Sequence, residues 1–338
     1  SVVCSPGTRL VSRGRITPRC SVRPSGLMTR SLEAGREAQR SEPNRTRPET
    51  RPEDSRIPGR RVPELPEVET TRRSVAAAIE GSRIQRARVT RDRMLRRQPN
   101  PADFGRRLQG REIASVGRHG KFLMTVLDND MVWVTHLGMS GRVSLTPSGS
   151  PLADHSNVVV AVDTGADFRL IDPRTFGFVA VYTPEELAES TLAALGRDAL
   201  TDLPRSAELR ALLGGRTAPI KALLLDQRIL AGIGNIYADE ALHRAAIAPH
   251  RPGKSITQDE VVRLRRAIKS TLDHALRYGG TSLDDLAYLL PDGRTGEYVN
   301  RLRAYGREGE RCRRCQGTIV REVIRGRSSY WCRGCQEA

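Results

Sequence analysis

Two cysteine pairs near the carboxyl end constrain this chain more than any other feature: Cys312-x2-Cys315, then sixteen residues, then Cys332-x2-Cys335. Thiolates at that spacing close around one tetrahedral ion, and four sulfurs leave the ion no open position. The implied cofactor is one structural Zn2+ held by Cys312, Cys315, Cys332 and Cys335, with no catalytic metal required. Two disulfides are the alternative reading of the same spacing. Only six cysteines occur in 338 residues, four of them within the last 27, which suits a reducing compartment better than a disulfide scaffold.

Arg313, Arg314, Arg321, Arg325, Arg327 and Arg333 surround these cysteines. A zinc-pinned hairpin would present their guanidiniums to phosphates, whereas for any single one a solvated basic face is the plain alternative. The whole chain repeats the bias: 52 arginines and four lysines stand against 39 acidic residues, a formal charge of +17. Such an excess suits a polyanionic partner, because each phosphate neutralised releases condensed counterions. A GC-rich genome that encodes Arg freely would give the same count. No run of about 18 apolar residues occurs, so no membrane span is expected.

Residues 1–62 mix Arg, Ser, Pro, Gly and Glu without a sustained apolar period and are expected to be disordered. From Pro63 the texture changes. A helix is expected over residues 67–80, with Val68, Val75, Ala78 and Ile79 at helical spacing, Pro66 suiting its first position and Gly81 stopping it. Residues 84–182 alternate short β-prone runs, 122–127, 131–136, 157–162 and 178–182 among them, with turn clusters such as Asp128-Asn129-Asp130; this is the spacing of a β-sandwich. Residues 184 to about 213 read as a hinge and the start of a helical domain. Residues 219–277 read as largely helical, broken at Gly232-Ile233-Gly234 and around 249–253. The expected fold class is α+β, ending in the metal-held β-hairpin.

The run Pro63-Glu64-Leu65-Pro66-Glu67-Val68-Glu69-Thr70-Thr71 would by itself be a helix start, with Glu67 and Glu69 at the positive end of the dipole. It also resembles the amino terminus of formamidopyrimidine-DNA glycosylases, a family whose mature chain begins with the proline. The resemblance covers residues 62–338 and recurs at separated points in the same order. Gly117-Arg118-His119-Gly120-Lys121 resembles the segment that brings a lysine to a DNA phosphate near the lesion, where an ordinary surface turn is the alternative. His136-Leu137-Gly138-Met139-Ser140-Gly141 and Asp172-Pro173-Arg174-Thr175-Phe176-Gly177 resemble two loops that fill the void left by the damaged base. By that likeness Met139, Arg174 and Phe176 enter the duplex, with Arg174 facing the orphaned base; core packing is the alternative for Met139 and Phe176. Residues 232–240 resemble the helix-two-turn-helix, whose glycines and Asn235 suit close approach to a phosphate. Lys221 and Arg327 match further DNA-contacting positions, and residues 279–307 match the region whose middle covers the flipped base.

The resemblance implies a bifunctional DNA glycosylase and AP lyase of base excision repair, acting on double-stranded DNA that contains oxidised purines such as 8-oxoguanine and formamidopyrimidines. It divides the folded chain into a catalytic β-sandwich domain (63–190), a helical helix-two-turn-helix DNA-binding domain (191–302) and a zinc-finger hairpin (303–338). A monomer in a bacterial cytoplasm is the corresponding expectation. Pro63, Glu64 and Lys121 form the implied catalytic set. The chemistry suits them: an α-amino group has a pKa of about 7.7–8.0, so roughly a third is free base near neutrality, against about 0.1% of an unshifted lysine. A secondary amine also forms a cationic iminium with the sugar carbon, an electron sink for phosphate elimination. Glu64 is the candidate proton donor and acceptor, with Glu67 a second candidate that caps the helix or orients the amine.

A proline inside a peptide has no amine to use, so translation is expected to begin at position 62, where a GTG codon would place methionine, with Pro63 exposed by its removal. Cleavage of an organelle transit peptide ending near Val62 is the alternative. Two other readings remain open: an oxidised-pyrimidine glycosylase of the endonuclease VIII type, against which Leu65, Arg174 and Phe176 lean, and a non-catalytic damaged-DNA-binding protein should Pro63 stay blocked.

Overall fold

The computed structural model describes residues 63–96, 98–282 and 288–336; the expected disorder of residues 1–62 lies outside them. Helix α1 (Leu65–Ile79) starts two residues earlier than expected, with Glu64 as its N-cap and Pro66 at the second position rather than the first. The reason is Glu67, whose carboxylate reaches back to accept the Glu64 backbone amide at 2.8 Å. Pro66 costs nothing there, since its missing N–H is one the first turn leaves unpaired in any case.

Strand β1 (Ile84–Val89) and helix α2 (Pro101–Leu108) lead into β2 (Ile113–His119), β3 (Phe122–Leu127), β4 (Val132–His136), β5 (Arg142–Pro147), β6 (Ser156–Val162), β7 (Ala166–Ile171) and β8 (Phe178–Tyr182). They sort into two antiparallel four-stranded sheets, ordered β1-β6-β7-β5 and β2-β3-β4-β8, which is the expected sandwich. Alternation along the strands sends Val158, Val160, Phe168 and Leu170 from one sheet against Val116, Leu123, Trp133 and Val179 from the other. Trp133 meets Phe168 edge-on, ring centroids 4.8 Å apart. Val68, Val75 and Ile79 of α1 and Phe104 of α2 pack into the same core. The outer side of β4 and β8 carries a smaller apolar cluster, Val132, Val134, Ala180 and Tyr182, with Leu187 of α3 (Pro184–Ala188) against it.

The second half contains β9 (Arg197–Asp198), α4 (Ser206–Leu213), α5 (Ile220–Leu225), β10 (Leu230–Ala231), α6 (Asn235–Ala245), α7 (Gln258–Arg277) and the hairpin β11 (Ile319–Ile324) and β12 (Arg327–Cys332). The short strand β9, inside the stretch expected to be helical or hinge-like, pairs in parallel with β10. Two residues are too few to show a period. The hairpin has no separate core: Cys312, Ile319, Tyr330 and Cys332 belong to the cluster built by α4 to α7. Leu65 also belongs to that cluster, so α1 puts its first residue into one core and Val68 into the other. Arg118, at the end of β2, completes the join with a bidentate pair to Asp198 at 2.6 and 2.9 Å and a contact to Glu69 at 3.2 Å. Among the described residues no helix is long and apolar enough to cross a membrane.

Candidate active site

Glu64 follows Pro63 and is buried, yet its carboxylate is not unsolvated in the electrostatic sense. It accepts the Ile236 amide at 2.9 Å and the Tyr237 amide at 3.3 Å, both in the first turn of α6. Helix amino termini attract anions through these unpaired N–H groups and the dipole. The expectation for Gly232-Ile233-Gly234 was close approach to a phosphate; the structure shows the protein's own carboxylate there. A Cβ on Gly234 would sit 2.2 Å from Glu64 Cδ, and one on Gly232, at φ +105, would sit 2.3 Å from Leu65 Cδ1. The two glycines make room for the start of α1. Burial raises the Glu64 pKa above the ordinary carboxyl value, with Lys121 and the α6 amides pulling it back.

Glu67 lies one helical turn on, and both its oxygens are engaged. Besides the Glu64 amide it takes the Thr281 amide at 2.7 Å and the Tyr237 hydroxyl. Burial, with the neighbouring Glu64 charge, pushes its pKa up to about 7. Thr281 precedes residues 283–287, which are not described, so Glu67 ties the root of that segment to the residue beside Pro63. Tyr237 was not singled out from the sequence; its place two residues after Asn235 was the available signal.

Lys121 stands in the two-residue turn between β2 and β3, where His119 pairs with Phe122. Asp198 accepts the Gly120 amide at 2.8 Å and Arg118 donates to the Gly120 carbonyl at 2.8 Å, so the join between the two halves also sets this turn. Glu64, Lys121, Asn235 and Arg327 line one cavity of about 220 Å³. Burial lowers the Lys121 pKa, opposed by the Glu64 and Glu67 charges. Four of the residues picked from separated motifs thus surround a single space.

Lys221 takes a different place. It is fully buried behind the cavity, 2.7 Å from Asp239 and donating to the Ser328 carbonyl at 2.7 Å. Asn235 donates to the same carbonyl at 3.0 Å, and Asp239 accepts the Tyr330 amide at 3.0 Å. The lysine therefore seats the start of β12, and with it Arg327, against the head of α6. Asp239, within the helix-two-turn-helix run, is its counter-charge, a role the sequence pattern does not show.

Met139, Arg174 and Phe176 do not line this cavity; they sit on two loops pressed together at the end of the sandwich. Asp172 organises both, accepting Ser140 Oγ at 2.6 Å and the Gly177 amide at 2.7 Å. A Cβ on Gly138 would lie 2.2 Å from the Gly177 nitrogen, so the loops touch through bare backbone. Arg174 is exposed and its guanidinium lies 5.1 Å from the Phe176 ring centre, while Met139 and Phe176 are half-buried rather than core residues. The packing alternative for those two is not what the structure contains.

The four cysteine sulfurs lie within 4.8 Å of one another, with Cys312 and Cys335 at 3.7 Å and Cys315 and Cys332 at 3.4 Å. A tetrahedral zinc with bonds of about 2.3 Å would set its sulfurs about 3.8 Å apart, so the set fits one structural zinc. His243 Nε2 lies 3.2 Å from the Cys312 sulfur and links α6 to the site.

Three family models match in succession: the formamidopyrimidine-DNA glycosylase N-terminal domain over residues 62–179, its H2TH domain over 195–286, and the zinc finger found in FPG and IleRS over 309–338. The formamidopyrimidine-DNA glycosylase of Rhizorhabdus wittichii is 43% identical over 277 residues, covering 82% of this chain and all of that protein. A Lactococcus lactis FPG mutant, solved in complex with Fapy-dG-containing DNA, superposes with a TM-score of 0.75 at 30% identity, over 82% of this chain and all of the other. The MutM (FPG) protein of Thermus thermophilus gives a TM-score of 0.72 at 38% identity, over 81% and 98% of the two chains.

Proposed function

The chain belongs to the formamidopyrimidine-DNA glycosylase family, and on that premise we propose that it excises oxidised purines from duplex DNA with the amine of Pro63 as nucleophile. It is a base-excision-repair DNA glycosylase with the AP lyase activity typical of that family. The observation that carries the finer reading is the gathering of Glu64, Lys121, Asn235 and Arg327 around one cavity directly after Pro63.

In this reading the Pro63 nitrogen attacks C1′ of the extruded nucleotide and the C1′–base bond breaks, the base leaving with a proton. Glu64, whose raised pKa favours holding a proton, supplies one to the sugar-ring oxygen as the ring opens to the iminium. The iminium withdraws electrons from C2′, so loss of a C2′ proton expels the 3′ phosphate, and a second elimination expels the 5′ phosphate. Water then releases Pro63. Met139, Arg174 and Phe176 occupy the vacated stack and offset part of the unstacking cost. Lys121, Asn235 and Arg327 hold phosphates beside the lesion, with Lys221 supporting Arg327 from behind.

The chemistry requires Pro63 to be amino-terminal, and the match to a relative over that protein's whole length by 82% of this chain supports a working enzyme beginning there. We further assign chemistry to residues 63–190, backbone grip to 191–302 and 303–338, and the setting to a bacterial cytoplasm, with the protein acting as a monomer. The test is borohydride trapping on a duplex carrying 8-oxoguanine opposite cytosine. A covalent adduct with protein beginning at Pro63, and none with the full chain, is expected. Tight binding with no adduct from either form would make this a damage-binding protein that does not cut.

A further inference from the structure

Helix α6 has a second functional end. Asn235 heads it at the cavity, while His243 and Arg244 lie in its last turn, about 13 Å away at a rise of about 1.5 Å per residue. There His243, Arg244, Arg263, Arg266, Arg303 and Arg314 line a cleft of about 350 Å³ that shares no residue with the cavity around Glu64. Five guanidiniums converge and no carboxylate lines the space. The buried Glu240, one turn before Arg244, is taken up by the amides of Arg303, Ala304 and Tyr305.

Part of this cluster has a structural use. Arg314 donates to the carbonyls of His243 and Arg244, and Arg263 to that of Ala245, satisfying acceptors that the end of α6 leaves open. Arg263 has one loose approach to Glu260, at 3.9 Å, a carboxylate already held by Arg251. Capping explains one nitrogen on each of these arginines. It does not explain the others: Arg244 donates at one end to the Tyr298 hydroxyl at 3.5 Å but its Nε is buried without a partner, and the exposed Arg266 and Arg303 side chains have no hydrogen bond or ion pair among the described residues. Collecting like charges without a counter-charge is unfavourable unless an anion joins them, and planar guanidiniums match phosphate oxygens in pairs.

We propose that this rear cleft binds the phosphate backbone of a second DNA segment while the first occupies the lesion cavity. The inference rests on the front cavity being the primary DNA site. Duplex DNA is stiff over about 150 base pairs, so a segment seated across the head of α6 does not turn back to its tail. The hairpin has the same polarity, with Arg327 at the front cavity and Arg314, between the cysteines, at the rear cleft. A protein holding two segments passes from one to the other without releasing both, which shortens the search for a rare lesion.

The experiment saturates the full chain with a duplex carrying an uncleavable abasic analogue and adds a labelled undamaged duplex. The expected result is a 1:2 complex whose second step weakens steeply with salt. Arg266→Glu with Arg303→Glu should lower second-duplex affinity at least about tenfold and leave first-duplex binding within about twofold, since neither side chain supports the fold or touches the cavity. Stoichiometry fixed at one in the unaltered protein overturns the proposal without any variant, and so does a second step that the double variant leaves unchanged. Protection of the loaded protein by inorganic phosphate or ATP, with no second duplex bound, overturns it in favour of a small-anion site. Failure to bind even the first duplex would instead count against the front cavity.

Discussion

Glu64 and Ile236 are 172 positions apart, yet the Glu64 carboxylate accepts the Ile236 amide at 2.9 Å, so the residue beside the candidate nucleophile is held by the helix proposed to grip the DNA backbone. Glu64→Gln keeps one acceptor oxygen there and removes the titratable proton. Base excision in single turnover should fall about 100-fold or more, the usual worth of a positioned acid–base group, with lesion-duplex affinity changed little. Excision within tenfold of the unaltered enzyme would remove Glu64 from the proton-transfer role.

Lys221 and Asp239 should behave as one unit. Lys221→Met leaves the fully enclosed Asp239 carboxyl, whose pKa burial already holds up at about 7, without its counter-charge, and breaking a buried pair from one side costs about 3–5 kcal/mol. Urea unfolding should show that loss, and Asp239→Asn added to it should return part of the stability. Lesion-duplex affinity should drop as well, because the Ser328 carbonyl beside Arg327 keeps only one of its two donors, Asn235. A stable Lys221→Met protein would mean that the pair contributes little to the fold.

Gly138→Ala tests the contact between the two loops. Its φ of +67 and the 2.2 Å approach to Gly177 nitrogen leave no place for a methyl, and overpacking of this kind costs about 1–3 kcal/mol. Excision from an intact duplex should slow about tenfold, while cleavage at a pre-formed abasic site, which needs no base extruded, should slow less. Equal slowing of both would separate Met139 and Phe176 from void filling.

Zinc removal can be followed by the chain's two tryptophans, because Trp133 lies in the sandwich core and Trp331 in the hairpin. Chelation, or Cys315→Ser, should expose Trp331 to water and abolish tight DNA binding while Trp133 keeps its buried emission. A Trp331→Phe protein isolates the Trp133 signal. If that signal also shifts, the sandwich depends on the hairpin, contrary to its separate core.

Much of this was legible in the sequence, and the failures have physical reasons. β-prone runs set between turn clusters marked β3 and β8 to the residue, although only β3 alternates buried and half-buried positions and β8 is buried almost throughout. The cysteine spacing marked the metal set. What pattern cannot show is pairing across the chain: that Gly232 and Gly234 shelter Glu64 and Leu65 rather than a phosphate, that Lys221 is enclosed by Asp239, or that Arg118 joins the two halves through Asp198. Each depends on residues from 18 to 170 positions apart, whose meeting is decided by how the elements pack.

Glu67 should make stability depend on pH in an unusual direction for a carboxylate. Its folded pKa of about 7 lies above the ordinary value of 4.5, so the folded chain holds the proton more tightly than the unfolded one. The stabilising contribution is then complete below about pH 4.5 and lost as pH rises through about 7, worth up to about 3 kcal/mol across that window. Asp239, raised to about 7 by burial, acts in the same direction, while His136, lowered by burial to about 4, adds stability as pH rises towards its ordinary value of 6.5. Urea midpoints measured from pH 5 to pH 8 for the unaltered protein and for Glu67→Gln, neutral throughout, should therefore shift against each other, the unaltered protein losing ground as pH rises. Parallel profiles would place the ionisation elsewhere, with Glu64, also raised by burial, the first group to examine. The same proton bears on the site: ionised, Glu67 sets a second negative charge beside Glu64 while still accepting the Glu64 and Thr281 amides, so Glu64 should hold its own proton more tightly once Glu67 has lost its proton.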